Sequence, residues 1–462
     1  MKTVLEEIAR NQPGWVELRW HRRRQNDFTV QKGRVDVANA ATVSGVGVRV
    51  LEDGSFGFAS TVDTGRAAIE KAVDQARANA REVAKLQKNK VGELPVVDFA
   101  RGDHVLDGYE ELESKPLDEK LQAVIDLEKK TLGLADPIHT VNSTYREMFE
   151  EKAVVTSDGA SASQKLVRPE LRLAAFAEKA GDHNVAGNSL GVTGGWTCLF
   201  QHPTADAIAE RTAEQAVDLL GAPHIAGGKA TVILEPSVVG LLAHEAIGHT
   251  VEADFVLSGS VAAGKIGERV GSELVTLCDS GNPDFLGNAG GVIPFDDEGV
   301  PVQDTVVIEN GILKSYLHNR ESAAHFGVAP TGNARAWLYK DEPLIRMRNT
   351  YLRAGATPLE EIIASTPEGY LIVGAGSGQA DATGEFMFGS SYAVEIKDGK
   401  LGRKLREVTI SGVAFDVLKT VDAISSEFRW DLGSGYCGKW QPAKVDAGGP
   451  YVRCQLTLGG RQ

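Results

Sequence analysis

Residues 226–254 read AGGKATVILEPSVVGLLAHEAIGHTVEAD. Gly227 and Gly228 break the chain, and ATVILEP then has the composition of a buried strand. From Ser237 or Val238 onward the apolar spacing becomes helical, and this helix carries His244, Glu245 and His249, in the pattern H-E-x-x-x-H. The break divides the chain into an expected N-terminal α+β domain, residues 1–222, and an expected β-rich C-terminal domain, residues 223–462, that holds the helix. The fold class expected is α+β, without a parallel α/β sheet.

Upstream, a short amphipathic helix precedes five runs with strand periodicity: WVELRWH, DFTVQKG, RVDVANA, VSGVGVRVL and GSFGFAS. A long Ala-rich helix follows, with Asp63 or Thr64 as its expected cap. Residues 87–116 show no clear period. A second amphipathic helix, LDEKLQAVIDLEKKTLGLA, then leads into two more strand-like regions and another Ala-rich helix, PTADAIAERTAEQAVDLLGAP. Strands followed by an Ala-rich helix thus occur twice before residue 222, a pattern of weak duplication. The basic stretch Trp20-His21-Arg22-Arg23-Arg24 reads locally as a solvated strand edge.

Downstream the chain is Gly-rich and strand-like in SELVTLCD, DTVVIENGILKSYLH, GYLIVGAGSG, GEFMFGSSYAVEIKDGKL, EVTISGVAFDVLKTVDAI and YVRCQLTLGG. Two-residue hairpin turns are expected at Asn310-Gly311 and Asp398-Gly399. A largely antiparallel sheet is the expectation. GAGSGQADATG has a G-x-G-x-G pattern but no long helix after it, so it is not read as a dinucleotide site. Ser390, Ser391 and Ser434 lack the setting of a nucleophile elbow.

The bulk properties narrow the partners. Among 462 residues, 42% are hydrophobic and 24% charged, and the formal net charge is −14. That charge opposes a phosphate backbone, so no nucleic-acid partner is expected. No apolar run reaches the roughly 18 residues of a membrane span, so no membrane association is expected. Four cysteines without C-x-x-C spacing argue for a reducing, cytoplasmic setting.

Hydrolysis of a peptide by a zinc enzyme needs ligands that hold the ion with one position open, and a carboxylate to take a proton from water. His244 and His249 offer imidazoles, and Glu245 is the natural base. The spacing poses a geometric problem, because residues five apart lie about 140° apart around an α-helix. The two rings converge if the turn is widened into a π-helix or broken, and Gly248 is where that irregularity is expected. The third ligand stays open on spacing alone. Glu252 and Asp254 lie just downstream. Cys278 and Cys454 fall in strand-like runs and read as core residues, whereas Cys437 lies in the Gly-flanked GSGYCGKWQ, read as a loop. His183, His202, His318 and His325 are isolated and read as structural or exposed.

HEAIGHTVEADFV, GKIGERVGSELVTLCD, DDEGVPVQDTVVIENGILKSYL, TGNARAW, PLIRMRNTYL, ATGEFMFGSSYAVEIKDGKL and GYCGKWQ, in this order, resemble the TldD/PmbA family of zinc peptidases. The N-terminal half fits through VSGVGVRVLEDGSFGFAS and the helix after it. The resemblance is to the catalytic, TldD-like branch, and it implies Zn²⁺ held by His244, His249 and Cys437, with Glu245 as base. It also implies cleavage of unfolded or modified peptides, and a dimer, either of this chain alone or with a related non-catalytic chain. Where the family pattern would read G-K-x-G-Q, this chain has GKWQ. A peptide substrate is expected to add as a strand near the site. The alternative expectation is a non-catalytic peptide-binding or regulatory subunit, which has no chemical reason to keep the intact His244, Glu245, His249 and Cys437 set.

Overall fold

Strand β1, Trp15–Gln31, is followed by β2, Arg34–Glu52, and β3, Ser55–Thr61. These pair antiparallel as a meander, with Trp15 opposite Leu51 and Val46 opposite Thr61. Strands β4, Arg101–Val105, β5, Ile138–Thr156, β6, Ser161–Lys179, and β7, Asp182–Gly191, complete a seven-stranded sheet. Its order is β3-β2-β1-β5-β6, and both β4 and β7 pair with β6. The computed structural model describes residues 1–281 and 289–459 of the chain.

The duplication read from the sequence has a structural counterpart. Helix Lys2–Arg10, strands β1 to β3 and helix Arg66–Leu86 form one unit. Helix Leu117–Leu132, strands β5 to β7 and helix Ala205–Asp218 form the other. The first strands of the two units, β1 and β5, pair antiparallel in the middle of the sheet. The buried faces of the helices explain their positions. Ile69, Ala72, Val73 and Ala76 pack on Val16, Leu18, Val46 and Val48, while Ile208, Ala209 and Ala213 pack on Leu171, Leu173 and Ala175.

Several local readings are corrected. The five N-terminal runs merge into three strands, of which β1 and β2 are 17 and 19 residues long. Residues 87–116 contain β4 and the helix Tyr109–Ser114. The Ala-rich helix is capped by Gly65, with no side-chain cap; Asp63 instead accepts the Gly65 amide at 2.8 Å. The basic stretch is no edge. It lies in β1 between β2 and β5, where His21 and Arg23 are buried and Glu150 on β5 accepts from Arg23 at 2.9 Å. Partners that arrive from a strand more than a hundred residues away leave no mark on local periodicity.

The second sheet runs from β8, Gly228–Leu234, through β9, Leu277–Ser280, β10, Asp304–Glu309, and β11, Ile312–Leu313. The pairs β12, Ala334–Arg335, and β13, Leu344–Ile345, form a separate ribbon. Then come β14, Asn349–Leu352, β15, Glu368–Ala380, β16, Glu385–Lys397, β17, Lys400–Leu405, β18, Val408–Val413, and β19, Ala423–Trp430. The last strands among the described residues are β20, Tyr436–Lys439, β21, Gln441–Lys444, and β22, Asp446–Gly459. The strand-like run at the C-terminus reaches Gly460, which lies outside the described residues.

Pairing in the eleven-stranded sheet is antiparallel except for β14 with β22 and β15 with β8. Because β22 pairs with both β18 and β8, the path β8-β22-β18-β16-β15 returns to β8 and closes a five-strand ring. This gives an α+β fold. Two of the longer strand readings shorten: SELVTLCD yields only β9, and EVTISGVAFDVLKTVDAI is interrupted by the helix Ala414–Lys419. The turns at Asn310-Gly311 and Asp398-Gly399 have the positive φ angles of a type I′ hairpin. No helix among the described residues is long and apolar enough to cross a membrane.

Buried charge joins the sheet segments. Arg348 and Asp279 are both fully buried, and the Arg348 Nε donates to Asp279 Oδ2 at 2.8 Å. Asp279 also accepts from Asn333 and Thr350, which ties β9 to β14 and to the β12 ribbon. Arg348→Met leaves that carboxylate buried without its cation, and a loss of about 3–5 kcal/mol is expected. Urea unfolding of the variant beside the parent chain measures it; an unchanged midpoint contradicts this role.

Candidate metal centre

The helix after β8 begins with Pro236, which suits a first helical turn because its missing N–H would be unpaired there. Helix Pro236–Leu241 passes without a break into a π-helical segment, Leu242–Gly248, and then into a 3₁₀ turn, His249–Val251. The widened turn is the irregularity that the five-residue histidine spacing requires. Gly248 has a different role from the one expected. Its φ of −56° and ψ of −47° are ordinary helical values. A Cβ there would lie 2.0 Å from Met347 Sδ, so close packing, and not backbone freedom, calls for glycine.

The π-turn places the His244 and His249 rings 5.2 Å apart, centroid to centroid. Cys437 reaches them from the far end of the sequence, and its Sγ lies 3.1 Å from His249 Nε2. One ligand atom from each of His244, His249 and Cys437 lies within 4.8 Å of the others. Cys437 sits on β20 of a two-stranded hairpin with β21, opposite Ala443, and not in an open loop. The turn is made by Trp440 at a φ of 58°, a residue type that gives no turn signal in sequence.

A layer of polar contacts supports the donors. The buried Glu252 carboxylate accepts from His249 Nδ1 at 2.8 Å, leaving Nε2 turned to the cluster. Glu252 also meets Lys439 Nζ at 3.1 Å, and Lys439 meets Asp254 at 2.8 Å. Glu252 and Asp254, open as third ligands on spacing alone, are thus committed to these partners. Arg346 donates to the Cys437 carbonyl at 2.6 Å and to the Gln441 carbonyl at 2.6 Å, which holds both strands of the hairpin. Lys439 and Arg346 escaped the sequence reading, since nothing in their spacing relates them to the H-E-x-x-x-H helix.

The electrostatics favour the thiolate, the ligand form of Cys437, and the charged form of both rings, whose protons a metal ion displaces on binding. Burial raises the Cys437 thiol, but the positive rings of His244 and His249 outweigh it and bring the thiol down to about 5. Both rings are raised in turn: burial lowers them, and the sulfur for His244, and Glu252 first for His249, more than compensate. His244 is 3% exposed, and neither ring nitrogen makes a hydrogen bond within the usual reach. A buried imidazole with both nitrogens unpaired, facing a thiolate and a second imidazole, fits a metal ion. Two nitrogens and one sulfur match the donor preference of zinc.

Glu245 is about one-third exposed, with Oε2 3.6 Å from His249 Nε2. It stands at the wall of a cleft of about 340 Å³ that also reaches His249, Phe255, Asp381 and Trp440. Trp440 is 85% exposed and stacks over Phe255. The other candidates lie elsewhere. Cys278 and Cys454 are buried in strands, with thiols pushed up to about 11 and about 12 by burial. His318 is buried beside Ser322, and His183 is exposed.

Family models described as PmbA/TldA metallopeptidase domain 1, central domain and C-terminal domain match residues 16–80, 110–220 and 227–460. The chain belongs to the TldD/PmbA metallopeptidase family. It is 32% identical over 450 residues to a protein named Metalloprotease from Methanothermobacter thermautotrophicus, covering 96% of this chain and 95% of that one. A Zinc metalloprotease TldD homolog from Saccharolobus solfataricus is 37% identical over 235 residues, 50% of this chain and 52% of that one. The crystal structure of TldE from Thermococcus kodakarensis shares the fold, with a TM-score of 0.78 at 20% identity over 99% of this chain and 98% of that one. The seven motifs that carry the resemblance to the TldD/PmbA family all fall within the C-terminal match.

The thiol offers a direct check on the cluster. Its depressed value means that folding stabilises the thiolate, a contribution complete above the unfolded thiol's pKa and lost as pH falls through about 5. In metal-stripped protein, absorbance near 240 nm should show a thiolate step centred near pH 5 that disappears in Cys437→Ser. A first step above pH 8 contradicts the described electrostatics.

Proposed function

We propose that this protein is a zinc-dependent peptidase of extended, unfolded or modified peptides, with His244, His249 and Cys437 as metal ligands and Glu245 as general base. One observation carries the reading: three donors of zinc type converge beside Glu245 on the wall of an open cleft. The names Metalloprotease and Zinc metalloprotease TldD homolog borne by the relatives support the same activity and the same metal. A zinc ion held there supplies Lewis acidity, which acidifies water and polarises a scissile carbonyl.

The chain's own residues do the rest. Cys437 is held as a thiolate near neutral pH, so no strong base is needed to ready it as a ligand. Glu252 holds the proton on His249 Nδ1 and thereby presents Nε2 as the donor. Glu245 accepts a proton from attacking water at its carboxylate and returns it to the departing amine. Phe255, Trp440 and the residues from Ala380 to Ala382 form the cleft walls between which a peptide lies. Strand β15 ends at Ala380 on that wall, which supports reading of the peptide backbone more than its side chains. The absence of C-x-x-C spacing among the four cysteines supports a cytoplasmic setting. The resemblance of the chain extends the reading to a dimer, with itself or with a related non-catalytic chain.

Glu245→Gln keeps the size of the side chain and cannot accept the proton. It should retain zinc while peptide cleavage falls by about 10²–10⁴-fold. Cys437→Ser should lose zinc, because an alcohol is a much poorer ligand than a thiolate, whereas Cys278→Ser and Cys454→Ser should keep it. Elemental analysis and a peptide-release assay, with and without a chelator, read both quantities. Full zinc content in Cys437→Ser, or undiminished cleavage by Glu245→Gln, rules out these assignments.

A further inference from the structure

A second, partly open void of about 20 Å³ lies between the N-terminal sheet and the hairpin that carries Cys437. It is lined by Arg23 on β1, Lys152 on β5, Arg168 on β6, Arg335 on β12 and Lys444 on β21, all buried. The carboxylates that line it are Glu150 and Asp297. Glu150 accepts from Arg23 at 2.9 Å and from Arg168 at 2.7 Å, and Asp297 accepts from Lys152 at 3.0 Å. Behind the void Glu170 holds Lys444 at 2.6 Å. Five lining cations therefore meet three directly paired carboxylates, two of them in the lining, while Asp446 acts on Lys444 at longer range and is itself pushed up to about 7 by burial. Arg19, 3.9 Å from Asp297, adds a further positive charge.

The excess is concentrated at Arg335. Its Nη1 and Nη2 donate to the carbonyls of Met347 and Lys444, at 2.6 and 2.5 Å; Glu150 and Asp297 act on it only at longer range, and among the described residues no carboxylate forms an ion pair with it. Carbonyls satisfy the N–H groups but not the charge. Burial, with Arg168 and Arg346 nearby, pushes this guanidinium down to about 9. His21, which faces Glu150, adds no charge near neutral pH, since burial lowers it to about 4. Arg23 Nε and Nη1 and Gln164 Oε1 are buried without partners, and Gln164 also lines the void. Buried cations and polar atoms in this state are costly unless something neutralises them.

We infer that this void binds one small inorganic anion, a chloride ion, which neutralises the cation excess and pins the Cys437 hairpin to the N-terminal sheet. The void has room for a water-sized occupant, which admits a halide. Gln164 can turn its amide to present Nε2 to the ion. Lys444 pairs with Tyr436 across the hairpin, one residue from Cys437, so the ion braces the strand that delivers the thiolate. The inference stands on these residues alone and does not depend on the peptidase reading.

The test follows thermal unfolding of the purified full-length protein in chloride, bromide and gluconate at matched ionic strength. Chloride and bromide should raise the midpoint by a saturable few degrees over gluconate, as ligand linkage requires. Crystals grown in bromide should show an anomalous peak within the void. Gln164→Glu places a fixed negative charge at the wall; it should hold the parent midpoint in gluconate or exceed it, and lose the chloride response. Equal midpoints in all three salts, a water in the void of bromide-grown crystals, or a Gln164→Glu chain destabilised in every salt overturns the assignment.

Discussion

Two histidines five residues apart converge on one point only if the helix between them winds more slowly than an α-helix. The π-turn Leu242–Gly248 meets that condition, and the site depends on it. A regular α-helix would turn one ring away from the cluster by more than a quarter of a revolution. The widened turn is held from outside. Ala243, Ala246 and Ile247 are buried in the core built on β8, β15, β16 and β22, and Met347 packs where a Gly248 side chain would stand. Its irregular hydrogen bonding is thus enforced by packing on several sides, as stored irregularity at functional sites generally is.

The third donor comes from nearly two hundred residues away, and it is located by charge as much as by backbone. Lys439 joins the hairpin to Glu252 and Asp254, and Arg346 joins its backbone to β13. Glu252 touches both His249 and Lys439, so one buried carboxylate orients a histidine and anchors the strand that bears the cysteine. This explains how a thiolate and two imidazoles from separate segments meet at such short range. The N-terminal sheet contributes at one remove: Glu170 binds Lys444 and Tyr436 of the same hairpin.

Much of this was legible in the sequence because its signals are local. The Gly-Gly break before β8, the type I′ turns and the amphipathic helices are recorded in adjacent residues, and the H-E-x-x-x-H spacing announced its own need for a distorted helix. What stayed hidden is non-local. The basic run at Trp20–Arg24 looks solvated until Glu150 arrives on β5. Cys437 looks like a loop residue because Trp440 makes a turn without glycine or asparagine at its bend. Glu252 could be suspected as a ligand, but its work as a brace requires Lys439, which no spacing rule connects to it. Gly248 signals backbone freedom in the sequence, whereas its actual constraint is the sulfur of Met347.

The central claim is that one ion is bound by His244, His249 and Cys437 together. X-ray absorption at the zinc edge of the purified protein tests it most directly. The account predicts one sulfur at about 2.3 Å and two imidazole nitrogens at about 2.0–2.1 Å, with one lighter atom completing the shell. A shell of nitrogen and oxygen alone, without sulfur, contradicts it.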